Sequence, residues 1–190
     1  MGRFHVERQN SDTFTLDVTQ NYELLPAPFV VLPGAVIPRG GYNFLSVSPS
    51  YAFGQQRRMS GTVGFQVGQF YNGDIRAVTV SGARVAILKQ FSVEPSLSYT
   101  QLALPTGTVD NTIVRARTDY AFTPLMFFSA LLQYGTGDHA LSSNLRYRWE
   151  YTPGSELFVV YTDDRDTWTR GYPGLKNRAF VVKFNRLFRF

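Results

Sequence analysis

Apolar and polar residues alternate along most of this chain, and this period of two constrains the fold more than any other feature. The alternation is clearest in the terminal stretch Lys176–Phe190, where the apolar row is Phe180, Val182, Phe184, Phe188 and Phe190, interrupted by Arg186. A β-strand sends successive side chains to opposite faces, so the stretch predicts a strand with one apolar face and one mostly polar face. No convincing helical period accompanies it.

About ten segments share this pattern, separated by turn-forming residues. They cover residues 13–24, 42–53, 60–71, 74–84, 91–103, 112–122, 126–134, 141–151, 157–161 and the terminal strand. Long and short connectors alternate, apart from a two-residue hairpin turn at Asn72–Gly73. Long loops at one end and short turns at the other are typical of transmembrane barrels. We therefore expect an all-β fold, a transmembrane antiparallel up-and-down β-barrel with about ten strands in this chain. The expected barrel is a single domain over residues 1–190, the C-terminal part of a longer protein, and is either complete or part of a larger barrel.

Composition excludes several classes of protein. No apolar run reaches the length of a membrane-spanning helix, whereas alternation keeps a membrane β-barrel compatible with a modest mean hydropathy. The absence of cysteine excludes disulfides and cysteine-ligated metals. The net charge is +5, but the basic residues are spread over the strands, which argues against nucleic acid as a partner. The first eight residues lack the apolar segment of a signal peptide, so we expect a fragment or a mature form.

Aromatic residues separate into two groups when the C-terminus is placed in the periplasm. Amphipathic rings at both interfaces are typical of a membrane barrel, whereas a soluble barrel has no reason to sort them. One predicted belt, at the extracellular rim, consists of Tyr22, Tyr42, Tyr71, Tyr99, Tyr134 and Tyr161. The periplasmic belt includes Tyr51, Tyr120, Trp149 and Tyr151. This sorting favours the bacterial outer membrane as the location.

Two sequence resemblances point the same way. The terminal aromatic strand resembles the C-terminal signal of bacterial outer-membrane barrels, which predicts Phe184, Phe188 and Phe190 as an assembly signal read by the barrel assembly machinery. The residues 145–163 and 177–190 are similar to the last strands of a group of Gram-negative bacterial proteins. So are Val36-Ile37-Pro38, Gln56-Arg57-Arg58 and Phe70-Tyr71-Asn72-Gly73.

That group joins an N-terminal domain resembling family-9 carbohydrate-binding modules to a C-terminal outer-membrane barrel of unassigned function. The resemblance covers roughly residues 10 to 190. It implies an outer-membrane barrel that follows a longer N-terminal part. Because no such module lies within the sequence, the resemblance transfers no carbohydrate-related role to this chain.

Charged residues recur on the polar strand faces. A lipid-facing arginine at mid-bilayer costs roughly 2–4 kcal/mol, so this face must be the lumen of a membrane barrel. The predicted lumen charge network consists of Glu94, Arg115, Arg117, Asp119, Arg146, Arg148 and Glu150. Such a network either fills a narrow barrel or forms a basic lining that favours anionic solutes, and the first interpretation is preferred because about ten strands enclose little free space.

Candidate chemistry is sparse. Asp138-His139 with Ser142 and Ser143 contains the residue types of a Ser-His-Asp site, but neighbours in one loop seldom reach the required geometry. Asp163-Asp164-Arg165-Asp166 lacks the spacing of a calcium loop. We therefore expect no enzyme activity, cofactor or metal. The expected function is a membrane anchor or a narrow or plugged pore. The expected partners are membrane lipid, lipopolysaccharide and an N-terminal domain that is absent from this sequence. The alternative is a lipocalin-like barrel that binds an apolar ligand.

Overall fold

The computed structural model describes residues 1–32, 35–169, 171 and 173–188. All regular elements in these residues are β-strands. They are β1 Gly2–Glu7, β2 Thr13–Leu25, β3 Phe29–Leu32, β4 Ala35–Ile37, β5 Gly40–Phe53, β6 Met59–Phe70, β7 Gly73–Leu88, β8 Phe91–Leu104, β9 Gly107–Thr123, β10 Met126–Gly135, β11 Ala140–Thr152, β12 Ser155–Asp166 and β13 Gly174–Asn185. Over the same residues, none of the structure is a helix of the length and hydrophobicity that crossing a membrane requires.

Eleven of the strands form one sheet in the order β1-β2-β5-β6-β7-β8-β9-β10-β11-β12-β13, and β3 and β4 form a separate two-stranded hairpin. Each strand of the large sheet pairs with the strand that precedes or follows it along that order, in antiparallel up-and-down fashion. The predicted all-β, up-and-down topology is therefore confirmed. The sheet is not closed into a barrel, because β1 and β13 are its outer strands.

The strand boundaries differ from the sequence pattern at both ends of the chain. The alternation missed β1, which pairs with β2 and is joined to it by an ion pair of 2.6 Å between Arg3 Nε and Asp17 Oδ1. The terminal strand ends at Asn185, whereas the pattern predicts a strand to Phe190, which lies outside the described residues. Beyond Asn185, the Leu187 amide donates a hydrogen bond of 3.0 Å to Ser155 Oγ.

Contacts within the chain group it into two compact units. Unit 1 comprises Met1–Ala83 and Ser96–Ile113, and unit 2 comprises Arg84–Pro95 and Val114–Phe190. In each unit the strands carry an apolar face and a polar face.

In unit 1 the strand register aligns residues of the same kind. Val47 of β5 lies between Val18 of β2 and Val67 of β6 on the apolar face. On the polar face, Ser46 lies between Thr19 and Gly68. The apolar face is the open one, since Leu45 is 45% exposed whereas the neighbouring Ser46 is only 7% exposed.

The buried apolar core of unit 1 is small and lies at the end of the strands where β2 leads into the β3–β4 hairpin. It consists of Leu25, Ala35, Ile37, Ile75, Leu102 and Leu104. Leu25 belongs to the polar face of β2, because it shares that strand face with Thr19 and Glu23. The hairpin, whose Ala35 and Ile37 are fully buried, therefore packs over the polar face rather than the apolar one.

In unit 2 the same division continues through β10 to β13. Leu145 of β11 lies opposite Ala130 and Tyr161, and Tyr161 lies opposite Phe180, all on the apolar face. Arg146 of the polar face lies opposite Ser129 and Val160. Large apolar side chains are exposed here too, including Phe180, Val182 and Phe184. A soluble protein would be expected to cover such a surface.

Candidate functional site

Two arginines on the polar face of unit 2 donate hydrogen bonds to neutral side-chain amides. Arg115 Nε donates to Gln133 Oε1 at 3.0 Å, and Arg146 Nε donates to Asn144 Oδ1 at 2.7 Å. Both guanidinium groups are exposed, and neither has an ion pair with any described residue. An amide neutralises no charge, so these two side chains give the middle of the polar face a positive potential.

The remaining arginines of the predicted network have carboxylate partners close by. Arg117 and Asp119, two residues apart on β9, form an ion pair of 3.1 Å. Arg148 pairs with Glu156 of the neighbouring strand and lies near the rings of Phe127 and Phe158, at 5.6 and 5.9 Å from their centroids. This arginine is therefore a packed, structural group of the sheet.

The two predicted glutamates have different surroundings. Glu150 accepts a hydrogen bond of 3.0 Å from the Gly154 amide, and so stabilises the turn between β11 and β12. Glu94 lies on the same face of β8 as Ser92, two residues before it. Ser92 and Asp119 line the same pocket of unit 2. The described residues thus form local pairs rather than one connected network.

Sequence reasoning missed Glu156 as the partner of Arg148. The strand pattern carried a usable signal, because Glu156 lies directly across the Thr152–Ser155 turn from Glu150. Arg148 is two residues before Glu150 and therefore on the same strand face. Counting the strand pairs outward from that turn therefore places Arg148 next to both Glu150 and Glu156.

The aromatic residues of the predicted belts lie on both faces. In unit 2, Tyr134, Trp149, Tyr151 and Tyr161 belong to the apolar face, and Tyr151 stacks on Phe184 with the ring centroids 5.2 Å apart. Tyr120 packs edge-on against Phe122 on the same strand, at 4.7 Å. In unit 1, Tyr22 and Tyr51 share the apolar face of β2 and β5, and the Tyr99 hydroxyl donates to Asp110 at 3.3 Å.

Tyr42 and Tyr71 lie on the polar face of unit 1 instead of the apolar one. Tyr42 is opposite Glu23 in the register, and its hydroxyl donates to the Pro38 carbonyl at 2.7 Å. The Tyr71 hydroxyl donates to Glu23 Oε2 at 2.6 Å, and this bond raises the pKa of Tyr71 to about 12. Both rings pack against the small core below the β3–β4 hairpin. Tertiary packing at the hairpin decides their direction.

The predicted assembly signal is described in part. Phe184 is an exposed residue of the apolar face of β13. Phe188 follows the end of that strand and has the Arg186 guanidinium 5.0 Å from its ring centroid. Phe190 lies outside the described residues.

The residue types that resemble a catalytic or metal site are not brought together. The His139 ring packs edge-on against Trp168 at 4.3 Å, and Ser143 Oγ donates to the Asp163 carbonyl oxygen at 3.3 Å. The register places Asp163 on the apolar face and Asp164 on the polar one. Within the described part of the chain, no three acidic or histidine side chains are placed to hold a metal ion.

Comparisons with known proteins find no relative of this chain. No protein-family model matches it, and neither a curated protein nor a solved structure matches it. Its function has to be argued from its own residues.

Proposed function

We propose that this chain is an outer-membrane β-barrel protein that acts as a membrane anchor or as a narrow or plugged pore, without catalytic chemistry of its own. A single observation carries the proposal. On the long strands of both units, large apolar side chains share one face and remain exposed, whereas serines, threonines and charged residues share the other.

An uncovered apolar face is energetically unfavourable in water. Apolar surface costs roughly 25 cal/mol for each Å² that stays in contact with water. Exposed apolar patches much larger than a few hundred Å² are rare in monomeric soluble proteins. A face that includes Leu45, Phe65 and Val67 in unit 1 and Phe180, Val182 and Phe184 in unit 2 is better accommodated by lipid chains.

Strand length is compatible with this environment. A tilted strand needs about 9–11 residues to cross the hydrocarbon layer. The strands β5 to β13 have 10 to 17 residues. An open sheet edge is unfavourable in hydrocarbon because its amides and carbonyls have no water to bind. The proposal therefore includes pairing partners for the outer strands β1 and β13 within a closed barrel of these or more strands.

The lipocalin-like alternative is less compatible with the burial pattern. In a lipocalin the apolar face is enclosed and the polar face is in water. In unit 1 the small polar Ser46 is buried while Leu45 on the opposite face is exposed. That is the distribution expected of a sheet whose polar side is enclosed.

A narrow or plugged interior is favoured over a wide pore. In unit 1 the β3–β4 hairpin packs over the polar face. In unit 2 the same face carries long arginine side chains, among them Arg115, Arg146 and Arg148. Both features occupy space that an open channel would leave to water.

The remaining parts of the proposal concern location and partners. With the C-terminal end of β13 in the periplasm, the end of β12 at Asp166 and the start of β13 at Gly174 face outward, and lipopolysaccharide surrounds that end of the strands. The barrel assembly machinery would insert the chain. Membership in the group with a family-9 carbohydrate-binding-like N-terminal domain stays a prediction.

Purification with and without detergent tests the proposal. We expect the chain to enter the outer-membrane fraction, to require detergent for a monodisperse state, and to show a folded band in unheated gels that shifts on heating. A monodisperse species in detergent-free buffer would contradict the membrane proposal and favour a soluble β-sheet protein.

A further inference from the structure

Two arginines of unit 2 lie on the apolar face, where cations are unexpected. The register puts Arg165 on the side of Leu157, Val159 and Tyr161 along β12, and it puts Arg178 opposite Asp163. Arg115, Arg146 and Arg148, in contrast, belong to the polar face. A lipid-facing arginine is strongly unfavourable at the bilayer midplane but is tolerated near the interface. These two residues must therefore lie at the depth of the lipid headgroups.

Asp163 holds both arginines in place. Arg165 forms an ion pair with it, Arg178 Nε lies 2.8 Å from Asp163 Oδ2, and the Tyr161 hydroxyl donates to the same carboxylate at 3.1 Å. Arg165 is mostly enclosed, with 16% of its side chain exposed, whereas 47% of Arg178 is exposed. Arg178, the more exposed of the two guanidinium groups, presents its positive charge at the surface beside this carboxylate.

A cavity of about 400 Å³ adjoins this cluster. Its lining combines apolar residues with the polar groups of the cluster, and consists of Leu132, Leu141, Ser143, Asp163, Arg165 and Pro173. Arg165 Nη1 donates to the Pro173 carbonyl at 3.3 Å, which connects the cluster to the cavity wall. An apolar wall beside a fixed cation suits an amphiphile with an anionic headgroup.

We propose that Arg178 and Arg165 bind a phosphate group of lipid A, the membrane anchor of lipopolysaccharide, and that one of its acyl chains lies against Leu132 and Leu141. The inference rests on the proposed function. The assignment to lipid A follows from the position of the cluster at the C-terminal end of β12, which is the outer-leaflet end in the proposed orientation. Phosphate binds arginine through paired hydrogen bonds.

Lipid binding to the full chain in a zwitterionic detergent tests the inference. The probes are lipid A, dephosphorylated lipid A, phosphatidylglycerol and inorganic phosphate, and the readout is native mass spectrometry with calorimetric titration. We expect lipid A to bind at least about tenfold more tightly than either lipid comparison, which corresponds to about 1.4 kcal/mol. Phosphatidylglycerol binding equal to that of lipid A, or displacement of lipid A by millimolar inorganic phosphate, would overturn the assignment to lipid A.

Arg178→Gln should lower the affinity for lipid A by at least about tenfold. The matched control is Arg117→Gln, which removes an arginine of similar exposure, 54%, that pairs with Asp119 on the polar face. The affinity of the Arg117→Gln variant for lipid A should equal that of the unmodified chain. Unchanged binding in Arg178→Gln would overturn the inference.

Heat-shifted gels report whether each variant folds. If Arg178→Gln fails to fold, Arg178→Lys carries the test, because lysine keeps the charge but loses the paired hydrogen bonds. We expect it to weaken binding several-fold, and an unchanged affinity would count against the site. If the chain requires detergent but binds lipid A no more tightly than the comparison lipids, only this inference is contradicted. A chain that is soluble without detergent contradicts the proposed function as well.

Discussion

At the scale of single residues, Asp12 is the most completely hydrogen-bonded carboxylate in unit 1. It is 2% exposed and accepts hydrogen bonds from the Gly54 amide at 2.8 Å and the Tyr51 hydroxyl at 2.8 Å. Arg57 and Asn10 donate to it as well, at 2.7 and 3.0 Å. These bonds, above all the one from the Gly54 amide, lower the pKa of Asp12. The carboxylate thereby joins the β1–β2 and β5–β6 turns.

The lowered pKa of Asp12 predicts a pH-dependent stability. Its contribution is fully present above the ordinary carboxyl pKa of about 4 and is lost as the pH falls through the lowered value in the folded protein. Asp12→Asn should therefore reduce the free energy of unfolding at neutral pH, and the difference from the unmodified chain should shrink toward about pH 2. Urea titrations in detergent, at neutral pH and toward about pH 2, measure the free energies of unfolding of Asp12→Asn and of the unmodified chain. The exposed Asp74→Asn is the control, and an equal effect of both changes would contradict the role of Asp12.

Gly68 is required by its backbone. Its φ of +152° is rare for other residues, and an added Cβ would overlap the Leu45 carbonyl oxygen and lie 2.6 Å from Ser46 Cα. Gly68→Ala should lower the free energy of unfolding by roughly 2–5 kcal/mol through backbone strain and overlap. Gly174→Ala, where the nearest atom is 3.8 Å away, should change it by less than about 1 kcal/mol. If denaturant titrations gave the same free energy of unfolding for Gly68→Ala and Gly174→Ala, the close packing of Gly68 against Leu45 and Ser46 would be contradicted.

At the scale of elements, β11 allows both faces to be tested on one strand. Leu145 lies on the apolar face, and Ser142 lies on the polar face opposite Asp164. Leu145→Arg should destabilise the folded chain in liposomes by about 2–4 kcal/mol. Ser142→Arg should cost less than about 1 kcal/mol, because Asp164 can pair with the new charge. The reverse order would mean that the polar face, not the apolar face, contacts lipid.

At the scale of the whole molecule, the proposed function predicts a small conductance that favours anions, or none, in planar bilayers. Arg115 and Arg146 donate hydrogen bonds to neutral amides, which do not compensate their positive charge. If current is measurable, changing both to glutamate should shift selectivity toward cations. Arg178→Gln, on the apolar face, should leave selectivity unchanged. Large, steady openings of porin size would contradict a narrow or plugged interior.

Much of the sheet is predictable because strand periodicity is local. The alternation of Leu141 to Tyr151, or of Phe91 to Ala103, depends only on which residues follow one another. The same local rule placed Arg115, Arg117 and Asp119 on one strand face. It also separated Asp163 from Asp164, neighbours in the sequence that lie on opposite faces.

Partners across the sheet were not predictable in the same way. Arg148 pairs with Glu156 rather than with Glu150, because Glu150 binds the turn amide of Gly154. Tyr42 and Tyr71 face the polar side, because the β3–β4 hairpin creates a small core there that buries their rings. Nothing in the local pattern of residues 25–41 indicates where that hairpin packs.

The class of secondary structure, the up-and-down order of the strands and the division into an apolar and a polar face are predictable from sequence, since each follows from short-range periodicity. The folded chain adds that the sheet of eleven strands is open at β1 and β13 and that the hairpin covers the polar face of unit 1. It also brings Arg165 and Arg178 together at Asp163. These features depend on contacts between distant parts of the chain, whose free energies no local pattern records.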